Sequence, residues 1–351
     1  MTEKHKTESN VGWKQKKTEK ESKLREKIKH IAESYIESPE KIADFLSFSA
    51  GFHNYSPRNV MLIQAQNPGA MLLKPYAGWK NEGINVRRGE KAVQIFVPAP
   101  VTLVKTGEGE KDIKMLSHLD AKEKAAYENG DLPSRRIMRY KIGSIFDIAQ
   151  TDFPKEKYPE LLGIGESSLS YHEKFEKLKM YSEKELSCPV SRENLHSIGV
   201  RGFYHSGFNC IKINELLEDT ASVSTLSHEI GHALLHKERP DYSTERKEFE
   251  ADCVSIMIDS HLGLEIPDSR KAHLASHFEK LKEQLKESDI SIDDIFSDVF
   301  EVYQKQVEKI DEYMTLKVPE IGIQLAARSG KDETEKEQSS QKNQKDQDIE
   351  I

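Results

Sequence analysis

"TLSHEIGHALLHKERPDYSTERKEFEAD", residues 225–252, contains the pattern H-E-x-x-H and, sixteen residues beyond its second histidine, a Glu four residues before an Asp. In a helix, positions four apart lie about 40° round the axis and one turn along it. His228 and His232 can therefore turn both imidazoles toward one ion, with Glu229 beside them facing the fourth coordination position. Zinc in that setting lowers the pKa of its bound water to about 7, and a neighbouring carboxylate can accept the proton. Leu226, Ile230, Leu234 and Leu235 give this helix a buried face, and Gly231 lets another element pack close.

A zinc site needs a third protein ligand, and the candidates are His236, Glu245, Glu248 and Glu250. His236 continues a further turn along the same helix, which carries its ring too far along the axis. "HALLHKERP" has no glycine at which the chain could bend toward the ion. The next helix, packed antiparallel, is the better source. "EFEAD" places Glu248 and Asp252 on one face, with Glu248 to bind metal and Asp252 to accept a hydrogen bond from a ligand imidazole. Glu250 falls about 200° from Glu248 and is expected to face solvent. Tyr204, His205 and Asn209, on a strand pair before the motif, could line a cleft.

The flanking chain fits two domains. Of 351 residues, 36% are hydrophobic and 32% charged. Three dispersed cysteines suit a reducing compartment and no disulfide framework. No apolar run reaches the roughly 18 residues of a membrane span, and the polar N-terminus is no secretory segment, so a cytoplasmic location is expected. Residues 1–150 carry 26 Lys+Arg against 19 Asp+Glu (+7) and the remainder 26 against 41 (−15), which together give the net −8. A basic front half hints at an anionic partner.

The fold class expected is α+β. Residues 1–37 form a charged, partly helical leader with frayed ends, and 38–155 an α+β domain. Ser38 with Pro39 and Ser56 with Pro57 open helices, and "KAVQIFVPAPV" and "RRIMRYKIGSIFDI" form strands around a charged excursion over 105–133. Residues 156–168 are a linker and 169–328 a mostly helical domain with a small sheet. In it, Ser243 caps the second motif helix and Ser291 the last long one. Residues 329–351 have too little apolar surface to fold.

The motif with its "EFEAD" partner resembles the zinc peptidase domain of the ImmA/IrrE group. That resemblance implies a gluzincin-like metallo-endopeptidase, with His228, His232 and Glu248 as ligands, Glu229 as base and Asp252 behind a ligand. The front half, through "YSPRNVMLIQAQNPGAMLLKPYAGWKNEGINVRRGEKAVQIFVPAP" (55–100) and "FDIAQT" (146–151), resembles ArdC-type antirestriction proteins and the related LtrC-like proteins of conjugative elements. This implies a domain that binds single-stranded DNA. Residues 41–100 hold seven Lys/Arg against three Asp/Glu, interleaved with aromatics. Such binders combine a basic track for phosphates with aromatic faces for bases. The expected contacts are Tyr55, Arg58, Lys74, Trp79, Lys80, Arg87, Arg88 and Lys91. The function implied is a single-stranded-DNA-binding zinc metallopeptidase of a mobile element, concerned with antirestriction or conjugation and acting on an unknown protein substrate. The alternatives are a non-catalytic antirestriction protein with a structural zinc domain, or a regulatory peptidase that cleaves a repressor.

Overall fold

The computed structural model describes residues 2–107, 109, 112–158, 169–237, 239, 241–286 and 290–316, without the side chains of residues 2–17, 36 and 198. Most of the expected 156–168 linker and all of the 329–351 tail lie outside the described residues. The chain divides into two compact units, 1–166 and 167–351.

In the first unit, the expected leader is one continuous helix, α1 (Thr2–Glu37). It is no loose extension, because Leu24, Ile28 and Tyr35 are buried and α1 packs on the next two helices. Those are α2 (Glu40–Ala50) and α3 (Pro57–Gln66). Pro39, not Ser38, stands at the α2 N-cap, whereas Ser56 and Pro57 open α3 as expected. A four-stranded antiparallel sheet follows, in the order β1-β4-β2-β3: β1 (Leu73–Pro75), β2 (Val93–Lys105), β3 (Ile113–Met115) and β4 (Ser134–Asp147). Helix α4 (Tyr76–Asn81) packs against β1 and β4. The 105–133 excursion holds β3 and α5 (Ala121–Glu128), a short helix that Asp120 opens with a capping box.

The core of this unit lies where α3 packs on α2 and on β2, with Phe45, Leu46, Val60, Leu62, Val93, Ile95 and Ile145 buried. Here β2 has β4 on one edge, while β3 reaches only Leu103–Lys105 of the other. Two side-chain amides of α3 fill the gap. Asn59 donates to the Phe96 carbonyl (2.8 Å) and accepts from the Phe96 N–H (2.9 Å). Gln66 does the same for Gln94 (2.9 and 3.0 Å), so backbone groups without a strand partner are satisfied. "FDIAQT" closes the unit. Asp147, fully buried, accepts from the N–H groups of Met71 (2.7 Å), Leu72 (3.1 Å) and Ala149 (2.9 Å).

The second unit has a three-stranded sheet, β5-β7-β6: β5 (Val190–Glu193) runs parallel to β7 (Cys210–Asn214), and β6 (Gly202–His205) antiparallel to it. Its helices are α6 (Tyr171–Glu185), α7 (Asp219–Leu235), α8 (Thr244–His261), α9 (Asp268–Leu285) and α10 (Ile292–Thr315). Ser170, Ser243 and Ser291 accept backbone N–H groups at the starts of α6, α8 and α10. Helix α8 lies in the middle, packed by α7, α9 and α10, with Phe249, Ala251, Val254 and Met257 fully buried. The α7–α8 crossing is close at Gly231, where a Cβ would stand 2.9 Å from the Ala251 carbonyl oxygen. Among the described residues, no helix is long and apolar enough to cross a membrane.

Candidate metal centre

The α7–α8 crossing brings three predicted side chains to one point. The Nε2 atoms of His228 and His232 are 3.1 Å apart. Glu248 on α8 reaches both, with Oε2 3.3 Å from His228 Nε2 and Oε1 3.5 Å from His232 Nε2. Zinc bonds of about 2.0–2.1 Å in a tetrahedron would set ligand atoms about 3.3 Å apart, so the triangle has the size a small divalent ion requires. Its donor set, two imidazoles and a carboxylate, suits such an ion. His236, one turn beyond, is not part of the triangle.

Each histidine is held from behind. His228 Nδ1 lies 3.0 Å from Asp252 Oδ1, the contact expected of that carboxylate. His232 is held by a relay that the sequence did not reveal. Its Nδ1 is 2.9 Å from His236 Nδ1, and His236 Nε2 is 3.0 Å from Glu250 Oε2. Glu250 Oε1 in turn accepts from Arg246 Nε at 2.7 Å, and Arg246 lies over the Tyr242 ring, 3.7 Å from its centroid. The expectation that Glu250 faces solvent is therefore wrong: it is fully buried. The angular argument holds, but α8 has helices packed around it, so turning away from Glu248 leads to another interior. Asn209, also singled out, anchors the β6–β7 turn instead. It adopts a left-handed φ of 47° and donates to the carbonyls of Leu186 and Ser187.

Burial and charge act unequally on this cluster. Burial would depress the His228 imidazolium, but hydrogen bonds to Asp252 and Glu248 outweigh it and raise its pKa to about 10. His232 is pushed down to about 3, by burial first and then by charged His228. Glu229, buried and near the Glu248 carboxylate, is raised to about 7, against which the Tyr204 backbone N–H donates to it. Burial would also raise Glu248 and Asp252, yet their histidine hydrogen bonds hold both below the usual carboxylate range.

The cluster opens into a cleft of about 1140 Å³, lined by Gly202, Phe203 and Tyr204 of β6, by α7 and by His273 of α9. Among the described residues, β6 is the outer strand of its sheet, and one of its edges is unpaired by any strand. Gly202 lets β6 lie against α7, since a Cβ there would meet Thr225 Cγ2 at 2.8 Å.

The first unit treats its eight predicted DNA contacts differently. Trp79 is fully buried and donates from Nε1 to the Phe146 carbonyl (2.8 Å), so it belongs to the core and offers no stacking face. Arg87 donates to the carbonyls of Thr151 and Ala149, each at 2.6 Å, and pairs with Glu90. Lys74 pairs with Glu82, and the Tyr55 hydroxyl donates to the Leu73 carbonyl. Trp79 and Arg87 thus bind distant backbone of the fold, while Lys74 and Tyr55 are half-buried. Arg58, Lys80, Arg88 and Lys91 are exposed. The expected DNA contacts leave out the outer half of β4, a strand the sequence predicts, where Arg135, Arg136, Arg139 and Lys141 are exposed, as are Met138 (57%) and Tyr140 (55%). The alternation of "RRIMRYK" was the available signal.

Helix α7 with its H-E-x-x-H, the carboxylate of α8 and the edge strand define the second unit as a zincin-like domain, mostly helical with a small sheet. Residues 183–287 match the M78 peptidase family model, described as the IrrE N-terminal-like domain, and residues 10–146 match the N-terminal domain of anti-restriction factor ArdC. The two matches, an ArdC-type N-terminal domain followed by an IrrE-like domain, fit the ArdC-type two-domain architecture. An uncharacterized protein of Bacillus anthracis is 29% identical over 295 residues, covering 78% of this chain and 49% of that protein; the chain spans about half the length of this curated relative. Two crystal structures of the antirestriction protein ArdC from plasmid R388 are also similar. The metal-free form matches at 17% identity and a TM-score of 0.45, covering 74% of this chain and 85% of that one. The Mn(II)-bound form matches at 16% and 0.47, covering 82% and 98%.

Proposed function

We propose that this chain is an antirestriction-type protein of a mobile genetic element, working in the cytoplasm, which binds single-stranded DNA through its first unit and hydrolyses a peptide bond in its second. The observation that carries the peptidase reading is the triangle of His228, His232 and Glu248, 3.1–3.5 Å on a side, with buried Glu229 beside it. These three side chains would hold a divalent ion, which we assign as Zn2+. When bound, the ion polarises a carbonyl and acidifies a water molecule. Glu229 takes the proton of the attacking water and returns it to the leaving nitrogen, as base and then acid. Asp252 and the His236–Glu250 relay fix the two imidazole orientations. The open edge of β6 gives an extended peptide backbone a strand to pair with.

Support for the DNA reading comes from the ArdC-type first unit and from its exposed cations. Arg135, Arg139 and Lys141 on one face of β4 give phosphates a basic track, and exposed Tyr140, on the other face with Arg136, gives a base a ring to stack on. Arg58, Lys80, Arg88 and Lys91 extend the basic surface.

The test compares cells expressing wild type and Glu229→Gln for a protein cleaved only by the first. The variant should keep the zinc held by His228, His232 and Glu248 and lose about 10²–10⁴-fold in cleavage rate, the size of a general-base contribution. Equal cleavage by the two proteins would overturn the assignment.

A further inference from the structure

The α7 histidine pair has a counterpart on α9. His273 and His277 are four residues apart on a helix, as are His228 and His232. Their Nε2 atoms are 3.3 Å apart, against 3.1 Å in the first pair. Their rings meet edge-on at 4.5 Å and 65°, against 4.8 Å and 79°. Asp252 serves both pairs: Oδ1 lies 3.0 Å from His228 Nδ1, and Oδ2 lies 2.9 Å from His273 Nδ1. A carboxylate that takes the Nδ1–H of an imidazole leaves its Nε2 lone pair directed outward, the arrangement found behind metal-ligating histidines.

We propose that His273 and His277 form a second metal site, binding a borderline transition-metal ion such as Zn2+, Ni2+ or Cu2+ through their two Nε2 atoms, with Asp252 shared between this site and the first. Two imidazoles select that class of ion over Mg2+ or Ca2+, which take oxygen ligands. The His273 side chain is 56% exposed and lines the cleft, so water can complete the coordination shell. Helix α9 is pinned in place by Arg270, whose Nη1 is 3.0 Å from Asp259 Oδ2 on α8, so the pair is presented by a rigid element. With two protein ligands against three, the second site is the weaker. Because Asp252 holds an imidazole of each site, loss of its charge weakens both.

The experiment is equilibrium dialysis of the full-length protein against Zn2+ or Ni2+, with metal analysis at concentrations up to about a hundredfold above the dissociation constant of the tight site. Wild type should bind two ions per chain. His277→Ala should bind one, at unchanged affinity, with the second weakened at least tenfold; His273→Ala should do the same. Glu248→Ala should lose the tight ion and keep the weak one, which separates this proposal from the peptidase reading. Asp252→Asn should weaken both ions about 10–100-fold, the usual effect of removing a carboxylate behind a ligand. A single ion per wild-type chain, or two ions of unchanged affinity in His277→Ala, would overturn the site. An Asp252→Asn effect on the tight ion alone would overturn the sharing.

Discussion

In the second unit, polar side chains converge: three point at one spot, and Asp252, His236 and Glu250 stand behind them. In the first unit they disperse. Trp79, Arg87, Asn59 and Gln66 each reach a backbone group far away in sequence. Both units are rich in polar contacts, but in one these shape a reactive point and in the other they replace missing strands and turns. Residue type alone therefore misleads. An arginine or a tryptophan in a basic stretch can belong to the frame as readily as to the binding surface.

Four substitutions test that contrast. The largest effect is expected of Trp79→Ala, which empties a fully buried site and removes a hydrogen bond to Phe146. The first unit should lose about 3–5 kcal/mol, read by native-state hydrogen exchange over β1 and α4. A variant of unchanged stability that bound DNA poorly would return Trp79 to the binding surface. Next, Glu250→Ala leaves Arg246 without its buried partner and cuts the relay behind His232. It should cost the second unit about 3 kcal/mol and weaken metal binding as well. If metal affinity were unmoved, the relay would be structural only.

Gly231→Ala presses a Cβ against Ala251 and should cost about 1–3 kcal/mol, with the metal triangle displaced. Full stability would mean that α7 and α8 can part without cost. The smallest effect belongs to Tyr140→Ala, a change at a 55% exposed residue. It should leave thermal unfolding unchanged and weaken single-stranded DNA by about 1–3 kcal/mol in a fluorescence titration. Loss of stability with unchanged affinity would assign Tyr140 to the frame.

How far the sequence could be read follows the same division. His228, Glu229 and His232 were visible because one helix carries them, and Glu248 with Asp252 because their spacing repeats the helical period. Glu250 departs from expectation because α8 has no wet side over this stretch: every residue from Phe249 to Asp259 is buried. A sharper signal was present in "ADCVSIMID", where apolar positions do not follow one stripe. The His273–His277 pair was equally local, but without the fold nothing placed Asp252 beside it. In the first unit, the strands of the long ribbon and the start of α3 were legible from alternation and from Ser56-Pro57. The tasks of Asn59, Gln66 and Trp79 were not, since each is set by a partner 28 to 67 residues away.

The paired amides on α3 carry one more consequence. An amide has a donor end and an acceptor end, so each can satisfy both the C=O and the N–H of one strand residue. Asn59 and Gln66 therefore act as a two-point key for how the helix lies along the strand. Sliding α3 along the strand would break all four bonds and uncover the N–H and C=O of Gln94 and Phe96. The same two side chains occupy the place where a foreign strand could otherwise add to the sheet. Helix register and resistance to strand addition thus rest on one pair of residues, and a change to aspartate or glutamate at either would remove the donor end and loosen both.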